Sequence, residues 1–344
     1  MIVGLALSAL STSTSGAALN GAALYEHYCA ACHGNQGKGG VGVPLALPDF
    51  LAVANDDFLR KTIRLGRPGR VMPAFQQLSE TEVDAIVAYI RGWAPAHTAI
   101  VETSPIKGKS ERGEKLYASF CAACHGDRGE GSHGTGVTFS RPRDLPVLAP
   151  ALNNPGFLAA ASDVMIKTTL IRGRQGTPML SFLKRGLNEQ DIDDIVVYVR
   201  GFAQKPLPLP VKAGADEPPT IERMSPYGMQ QTLDKLKNAI GGANLRLIRT
   251  ESFDQAFAGK EKENKHHVVV DSCDFNFLNQ ALKIDPRVGL FLPCRFILSE
   301  HNGKVSISAV NPKRLSEIFN NSELNQLCDQ MYKVYVDIIE ETVF

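Results

Sequence analysis

A pentapeptide that occurs twice constrains this chain more than any other feature. Cys29-Ala30-Ala31-Cys32-His33 returns letter for letter as Cys121-Ala122-Ala123-Cys124-His125. A C-x-x-C-H run places two thiols and an imidazole on one helical turn, so both sulfurs can bond a porphyrin's vinyl groups while the histidine ligates the iron. A chance C-x-x-C, a redox dithiol and half of a zinc site are the alternatives. Two copies, each followed by a methionine, favour haem attachment and predict two covalently bound haem c groups.

Length and charge limit the remaining possibilities. A chain of 344 residues is long enough for two or three domains of ordinary size. Its net charge of +1 indicates no global attraction to nucleic acid or to an acidic membrane, so no nucleic-acid partner is expected. Four of the seven cysteines are assigned to haem, which leaves Cys273, Cys294 and Cys328 in the last third of the chain.

Residues 1–16 resemble a signal peptide. An apolar run from Ile2 to Leu10 is followed by Ser, Thr and small residues, although the basic residues that normally precede such a run are missing. A frayed N-terminus is the alternative. No stretch reaches the roughly 18 apolar residues that a membrane-spanning helix needs. The prediction is an exported, soluble, periplasmic protein with no membrane span in its mature form.

Residues 17–98 are expected to form the first haem domain. A helical pattern over Leu24 to Tyr28 leads into the cysteines, and a glycine-rich run follows the histidine. A phosphate cradle would need a strand before this run and a helix after it, so wrapping around the macrocycle is the favoured role. Met72 is the only methionine of the segment, and Ser79 predicts the cap of a helix that runs to Trp93.

Residues 110–205 repeat this plan and are expected to form the second haem domain. A longer loop through residues 140–144 separates the second histidine from its methionine, and lengthened loops are often functional. The segments that align are Leu59 to Arg67 with Ile166 to Arg174, Met72 with Met179, and Tyr89 to Trp93 with Tyr198 to Phe202.

A proline-rich linker over residues 206–221 and a small α+β domain over residues 222–344 complete the predicted organisation. Asn302-Gly303 is a strong hairpin signal between the last two predicted strands. The predicted strands are Asn244 to Thr250, His266 to Cys273, Val288 to Leu298 and Lys304 to Val310. The predicted helices run from a cap at Ser225-Pro226 to Ile240, from Phe275 to Ile284, and onward from Asn311-Pro312.

Residues 17–205 resemble two tandem class I cytochrome c domains, which are small all-α folds with histidine and methionine as axial haem ligands. The resemblance implies that the cysteines bind haem covalently, that each histidine is a proximal iron ligand, and that each methionine is a distal one. The residues concerned are Cys29, Cys32, His33 and Met72 in the first domain, and Cys121, Cys124, His125 and Met179 in the second. Pro44 and Pro150 are candidates to offer a carbonyl to the second histidine nitrogen.

Two axial protein ligands leave no open coordination site, so one-electron exchange is the only expected haem chemistry. Basic residues flank both methionine loops. Some are expected to pair with haem propionates, and the others could form a rim that attracts an acidic redox partner. A merely solvated face is the alternative. The basic residues are Arg60, Lys61, Arg64, Arg67 and Arg70 in the first copy, and Lys167, Arg172, Arg174, Lys184 and Arg185 in the second.

Residues 222–344 resemble the family of domain of unknown function 302, through Ala281 to Leu290 and Leu292-Pro293-Cys294. The resemblance implies a compact α/β domain that forms homodimers in several proteins, and it implies paired cysteines at Cys273 and Cys294. These thiols are expected to be bridged, reactive or buried. Cys328 is expected to be a buried residue of the last helix.

Two functions stay open. The favoured one is an exported di-haem cytochrome that carries electrons one at a time between periplasmic redox partners, respiratory or sulfur-oxidising, with a C-terminal docking or dimerisation domain. The alternative is an enzyme whose C-terminal domain oxidises a small sulfur compound or thiol and passes electrons to the haems.

Overall fold

The computed structural model of the chain describes residues 19–94, 105–133, 149–207, 217–252 and 266–344. The signal-like segment, residues 140–144 of the lengthened loop and residues 208–216 of the expected linker lie outside these ranges.

Both haem-motif domains are built from helices, which the structure places in the same order. In the first domain these are α1 (Gly21–Tyr28), α2 (Ala30–His33), α3 (Pro48–Val53), α4 (Asp56–Leu65) and α5 (Glu80–Arg91). In the second they are α6 (Ser110–Phe120), α7 (Ala122–His125), α8 (Pro155–Ala160), α9 (Asp163–Arg172) and α10 (Glu189–Gly201).

Side-chain caps explain where the long helices begin. The Ser79 hydroxyl accepts the Glu82 amide, and the Glu82 carboxylate accepts the Ser79 amide in return, which forms a capping box at α5. Asn188 and Asp191 repeat this box at α10. The cap predicted at Ser79 is therefore confirmed, although α5 ends at Arg91, two residues before the predicted end.

Matched tertiary contacts confirm that one fold occurs twice. The Tyr25 hydroxyl donates to the Gly34 carbonyl at 2.9 Å, and the Tyr117 hydroxyl donates to the Gly126 carbonyl at 2.9 Å. Each bond ties the first long helix of a domain to the end of its C-x-x-C-H turn. The hydroxyl of a buried tyrosine normally needs such a partner, so both domains satisfy the same requirement in the same way.

The two haem-motif domains pack directly on each other, α8 against α4 and α3 against α9. Ala160, Ala161 and Met165 of the second domain are buried in the core of the first. The contact is close, because a Cβ added at Gly156 would lie 2.2 Å from the carbonyl oxygen of Gly66. The hydrophobic core of the first domain therefore includes residues of α8 and α9, while the second domain keeps a core of its own.

The C-terminal domain is an antiparallel sheet with helices, which confirms the predicted α+β class. Among the described residues the strand order is β1-β5-β4-β3-β2. The strands are β1 (Thr220–Ser225), β2 (Arg246–Ser252), β3 (His267–Cys273), β4 (Cys294–His301) and β5 (Lys304–Val310). The helices are α11 (Met229–Gly242), α12 (Phe275–Ile284), α13 (Lys313–Ile318) and α14 (Asn325–Val343).

Two predicted elements of this domain are wrong. Residues 220–225 form an edge strand paired with β5, so the helix predicted to begin at Ser225-Pro226 begins instead at Met229. Residues 286–291 form a 3₁₀ helix, and the strand predicted from Val288 begins at Cys294. The predicted hairpin is confirmed, with Asn302 at φ 51° and Gly303 at φ 72°, the left-handed conformation that such a turn requires.

The helices of the described ranges are too short or too polar to cross a bilayer.

Replacing Gly113 with alanine should destabilise the second haem-motif domain. The new Cβ would lie 2.0 Å from the Asp194 carbonyl oxygen, where α6 crosses α10, so the free energy of unfolding should fall by about 1–3 kcal/mol. Chemical denaturation measures the change. Gly241→Ala is the control, since open space surrounds that position in α11. Equal effects of the two substitutions would contradict the close helix crossing.

Candidate haem sites

A cavity of about 550 Å³ lies in the second haem-motif domain. This volume falls within the ~300–1,000 Å³ of typical cofactor pockets. Its walls include Cys121, Cys124, His125 and Met179, so the structure brings all four predicted site residues of this domain together. Apolar side chains such as Leu170, Phe182, Ile195 and Val199 form most of the remaining wall, as a porphyrin ring requires. Val43, Pro44 and Leu47 of the first domain close one side.

Each predicted iron-ligating histidine is oriented by a backbone carbonyl. His125 Nδ1 lies 2.9 Å from the Pro150 carbonyl oxygen, and His33 Nδ1 lies 2.8 Å from that of Val43. Because a carbonyl only accepts, Nδ1 carries the proton in both rings and Nε2 remains free to bind a metal. The candidate Pro150 is confirmed, whereas Pro44 is wrong by one residue. The turn of the glycine-rich segment presents the carbonyl of Val43 instead.

Burial keeps both imidazoles neutral. Desolvation lowers the pKa of His33 and of His125, and the carbonyl bond to each ring acts in the opposite direction. A neutral imidazole is the form that ligates iron, so no proton has to leave before a metal binds.

The C-x-x-C-H turns place the thiols at the ends of the first helices. The His33 amide donates to the Cys29 carbonyl at 2.9 Å, and the His125 amide donates to the Cys121 carbonyl at 2.9 Å. Burial raises the pKa of the Cys29 and Cys121 thiols to about 12. Both thiols are therefore protonated at neutral pH in this environment.

One backbone hydrogen bond closes each methionine loop. The Arg67 amide donates to the Met72 carbonyl at 2.9 Å, and the Arg174 amide donates to the Met179 carbonyl at 2.6 Å. We call residues 66–72 the first methionine loop and residues 173–179 the second methionine loop. Both loops have the same length between the bonded residues, so the two methionines leave their loops at equivalent positions.

The arginines that close the loops point inward. Burial lowers the pKa of Arg67 to about 10, and burial also lowers the pKa of Arg174. The positive charge of Arg67 lowers the pKa of His33, and that of Arg174 lowers the pKa of His125. Both side chains are half-buried, and a haem propionate beside the imidazole would supply a compensating anion for a guanidinium that is partly removed from water. The residues present therefore fit c-type haem at both sites.

The other basic residues near the loops divide between internal partners and the surface. Arg60, Lys61 and Arg64 make ion pairs within their own domain, and Lys167 is buried against Asp193 at 2.6 Å. Arg172 lies 3.6 Å from Asp49 of the first domain. Lys184 and Arg185 remain exposed beside the second methionine loop. Most of the predicted basic rim is thus engaged in structural ion pairs.

The C-terminal domain reaches the first site. Arg287 and Asp285 lie close enough to Cys32 to act on the pKa of its thiol, which burial raises. Arg287 is held by both carboxylate oxygens of Asp285, at 3.0 Å and 2.7 Å. The side chain of Asn320 contacts the first methionine loop directly.

The remaining cysteines are buried thiols. Cys273 and Cys294 are 3% and 2% exposed and are not bridged in the structure. Burial raises the pKa of both, and the Tyr335 side chain hydrogen-bonds Cys294 with the opposite effect. Cys328 is buried on α14, as predicted. Of the three options, the buried one is the one the structure adopts. The described residues include no group of three His, Cys, Asp or Glu side chains arranged to hold a metal ion.

Sequence reasoning missed three kinds of site residue. Met165 lines the second cavity from α9, and only its alignment with Phe58 of the first copy hinted at an inward position. Tyr25 and Tyr117 support the C-x-x-C-H turns, and their equal spacing to the cysteines was a readable signal. Asn320 lies 248 residues from Met72 and had no local signal.

Three sequence families match consecutive parts of the chain. The family described as "Cytochrome C oxidase, cbb3-type, subunit III" matches residues 16–90, "Cytochrome c" matches residues 110–203, and "Domain of unknown function DUF302" matches residues 221–342. The chain therefore carries two cytochrome c domains and a C-terminal domain of unknown function. Cytochrome c domains bind c-type haem covalently, and these matches support an electron-transfer function.

Similar proteins match the cytochrome part. A Cbb3-type cytochrome c oxidase subunit CcoP from an Azospirillum species is 29% identical over 196 residues, 53% of this chain. The match spans 61% of the length of that relative. A dihydro-heme d1 dehydrogenase from Pseudomonas aeruginosa is 40% identical over 91 residues, 26% of this chain and 18% of that protein.

Two solved structures are also similar to parts of the chain. An uncharacterized conserved DUF302 protein from Bacillus stearothermophilus covers 37% of this chain and 99% of its own, with 18% identity and a TM-score of 0.34. A reducing HAO-like protein complex from Kuenenia stuttgartiensis covers 53% of this chain and 95% of its own, with 20% identity and a TM-score of 0.32.

Proposed function

We propose that this protein is a di-haem c-type cytochrome that transfers electrons one at a time between redox partner proteins. The observation that carries the proposal is the second cavity, where two thiols, an oriented imidazole and a methionine line one apolar space. The first domain repeats the same hydrogen bonds at its histidine and methionine loop. Haem c held with histidine and methionine supplies reversible one-electron chemistry.

The proposed attachment and ligand residues follow the repeat. Cys29 and Cys32 are the attachment thiols of the first site and Cys121 and Cys124 those of the second, with His33 and Met72, then His125 and Met179, as axial ligands. A backbone carbonyl holds each imidazole in one tautomer, and a closed loop presents each methionine. The half-buried side chain of Arg67 or Arg174 acts on the imidazole of the same site. Val43, Pro44 and Leu47 of the first domain form part of the wall of the second cavity.

We place the protein in the periplasm, on the apolar and small-residue pattern of residues 1–16. A respiratory or sulfur-oxidising protein is the proposed redox partner class. Homodimerisation through the C-terminal domain remains a proposal. One face of its sheet carries side chains such as Met224, Val310 and Arg295 that are exposed in the single chain. Sedimentation of the purified protein over a range of concentrations tests it.

Thiol-based catalysis by the C-terminal domain is the less favoured function. A reactive thiol normally has a lowered pKa and partial exposure, whereas Cys273 and Cys294 have raised pKa values and almost no exposure.

The mature holoprotein should contain two haems per chain that resist acid-acetone extraction. Pyridine haemochrome analysis against protein concentration measures the number. Replacing both Cys121 and Cys124 with serine should lower it to one, because only the first attachment turn remains. A value of one for the unmodified chain would contradict the di-haem proposal.

Each Met→His substitution, at Met72 or at Met179, should remove about half of the methionine-to-iron absorbance band at the red end of the oxidised spectrum. The physical reason is that each loop supplies one sulfur ligand, and an imidazole in its place gives no such band. Met165→Leu is the control, because Met165 lines the second cavity from a helix rather than from the loop. A full band in both histidine variants would show that the assignment is wrong.

Cys294→Ser should lower stability without affecting haem reduction. The serine hydroxyl would be buried in the core beside Tyr335, which should cost about 1–3 kcal/mol of unfolding free energy. Thermal unfolding measures this loss, while spectra follow haem reduction by thiosulfate, sulfide and small thiols. Unchanged stability with abolished reduction would instead favour the enzyme.

A further inference from the structure

One asparagine of the C-terminal domain bonds much of the first methionine loop. Asn320 Nδ2 lies 3.1 Å from the Arg67 carbonyl oxygen and 2.9 Å from that of Met72, and it also donates to the Arg70 carbonyl. Asn320 Oδ1 accepts the Gly69 amide at 3.3 Å. A single amide side chain thus meets four backbone groups of a six-residue stretch. These contacts together define the shape of the loop.

Two neighbours of Asn320 add to this contact. The Ser322 amide and hydroxyl both donate to the Gly69 carbonyl, at 3.0 Å and 2.8 Å. Glu323 forms an ion pair with Arg70, whose guanidinium also donates to the Ser132 carbonyl of the second domain at 2.6 Å. We call Asn320, Ser322 and Glu323 the clamp. The clamp therefore lies where all three domains meet.

The clamp itself is held rigidly. The Asn320 amide donates to the Glu317 carbonyl at 3.0 Å, and the Asn321 amide donates to the Ser316 carbonyl at 2.8 Å. Arg287, already fixed by Asp285, donates to the Phe319 carbonyl at 2.7 Å. Asn320 has φ 48°, a left-handed conformation that asparagine tolerates better than most residues. The backbone on either side of the asparagine is thus tied to α13 and to Arg287.

Among the residues that the structure describes, the second methionine loop has no hydrogen bond from the C-terminal domain. The Thr177 hydroxyl donates to the Arg174 carbonyl at 2.8 Å and accepts the Met179 amide at 3.2 Å. The aligned position of the first loop is Arg70, which has no hydroxyl for this role and is paired with Glu323. Gly69 is buried, whereas the aligned Gly176 faces open space. The C-terminal domain thus bonds the first loop. The second loop is bonded by its own Thr177 and by Asp49 of the first domain, whose carboxylate accepts the Gln175 amide at 2.8 Å.

We propose that Asn320 is a positioning residue for Met72, through which the C-terminal domain sets the ligation and reduction potential of the first haem site and leaves the second unaffected. The proposal rests on the proposed function, since it takes Met72 as an iron ligand. Without the Asn320 side chain, the Arg67 and Met72 carbonyls would keep only their hydrogen bonds within the loop, and the bond to the Arg70 carbonyl would be lost. The closed shape of the loop would then be held less firmly. A methionine on a more flexible loop should bind iron more weakly, because the loop loses more conformational entropy when the methionine is fixed in its ligating position.

The test uses the full-length holoprotein in a Met179→His background, where the methionine-to-iron band arises from Met72 alone. Asn320→Ala removes every side-chain bond, and Asn320→Asp keeps the size of the side chain but removes its donors. Both should weaken the band by at least about half and shift the midpoint potential of the first site. In Asn320→Ala, exchange of the Gly69 amide should accelerate about tenfold, as expected for the loss of one net hydrogen bond. Asn320→Asp keeps an oxygen that can accept this amide, so exchange there should change less.

Two controls separate positioning from general damage. Asn302→Ala alters another left-handed asparagine of the same domain, at φ 51° in the β4–β5 hairpin, and should change neither band nor potential. Thr177→Val, made in a Met72→His background, should instead weaken the band of the second site. The haem count per chain verifies that each variant has matured.

In the Met179→His background, Met72→His should abolish the band, which verifies that the band reports on Met72. If it does, a full band and an unshifted potential in both Asn320 variants would overturn the proposal and leave the proposed function intact. A band that survives Met72→His would instead refute the ligand assignment. A potential shift of equal size at both sites would also overturn the proposal, since it would indicate a global change.

Discussion

In each cytochrome domain, one arginine with a half-buried side chain connects the methionine loop with the histidine turn. Arg67 and Arg174 each close a methionine loop with the backbone amide and send the side chain towards the histidine of the same site. Removing such a charge from water is costly unless an anion and hydrogen bonds compensate for it. This requirement explains why loop, histidine turn and arginine recur together in both domains. A substitution at one of them alters the setting of the other two.

The sequence was sufficient for features that depend on a few neighbouring residues. The C-x-x-C-H turns, the helix cap at Ser79 and the Asn302-Gly303 hairpin are local patterns, and all appear where expected. Features that depend on distant pairing were missed. Thr220 pairs with Val310, ninety positions later in the chain, so nothing near β1 distinguished it from the linker. Val43 replaced Pro44 because the path of a glycine-rich loop decides which carbonyl faces the ring.

The cysteines show why residue type alone does not decide chemistry. Seven cysteines share one chain, yet four lie on exposed or half-buried turns or line a cavity, and three are enclosed in the core of the C-terminal domain. Burial raises the pKa of Cys29, Cys32 and Cys121 just as it raises the pKa of Cys273, Cys294 and Cys328, so the direction of the shift does not separate these two sets. What separates them is the adjoining histidine on the same turn. The proposed attachment thiols are therefore distinguished by their sequence context and not by the electrostatics of the folded protein.

The packing of the two cytochrome domains has a consequence for the C-terminal domain. Arg67 lies over Phe157 of the second domain, and Arg174 lies over Phe50 of the first, at the position that the repeat aligns with Phe157. Equivalent residues of the two domains therefore make equivalent contacts, as in the interface of a two-fold symmetric dimer. Two-fold symmetry alone would make the two halves equivalent. Asn320 bonds only one of the two loops, so the C-terminal domain breaks this internal symmetry and makes the two haem sites inequivalent.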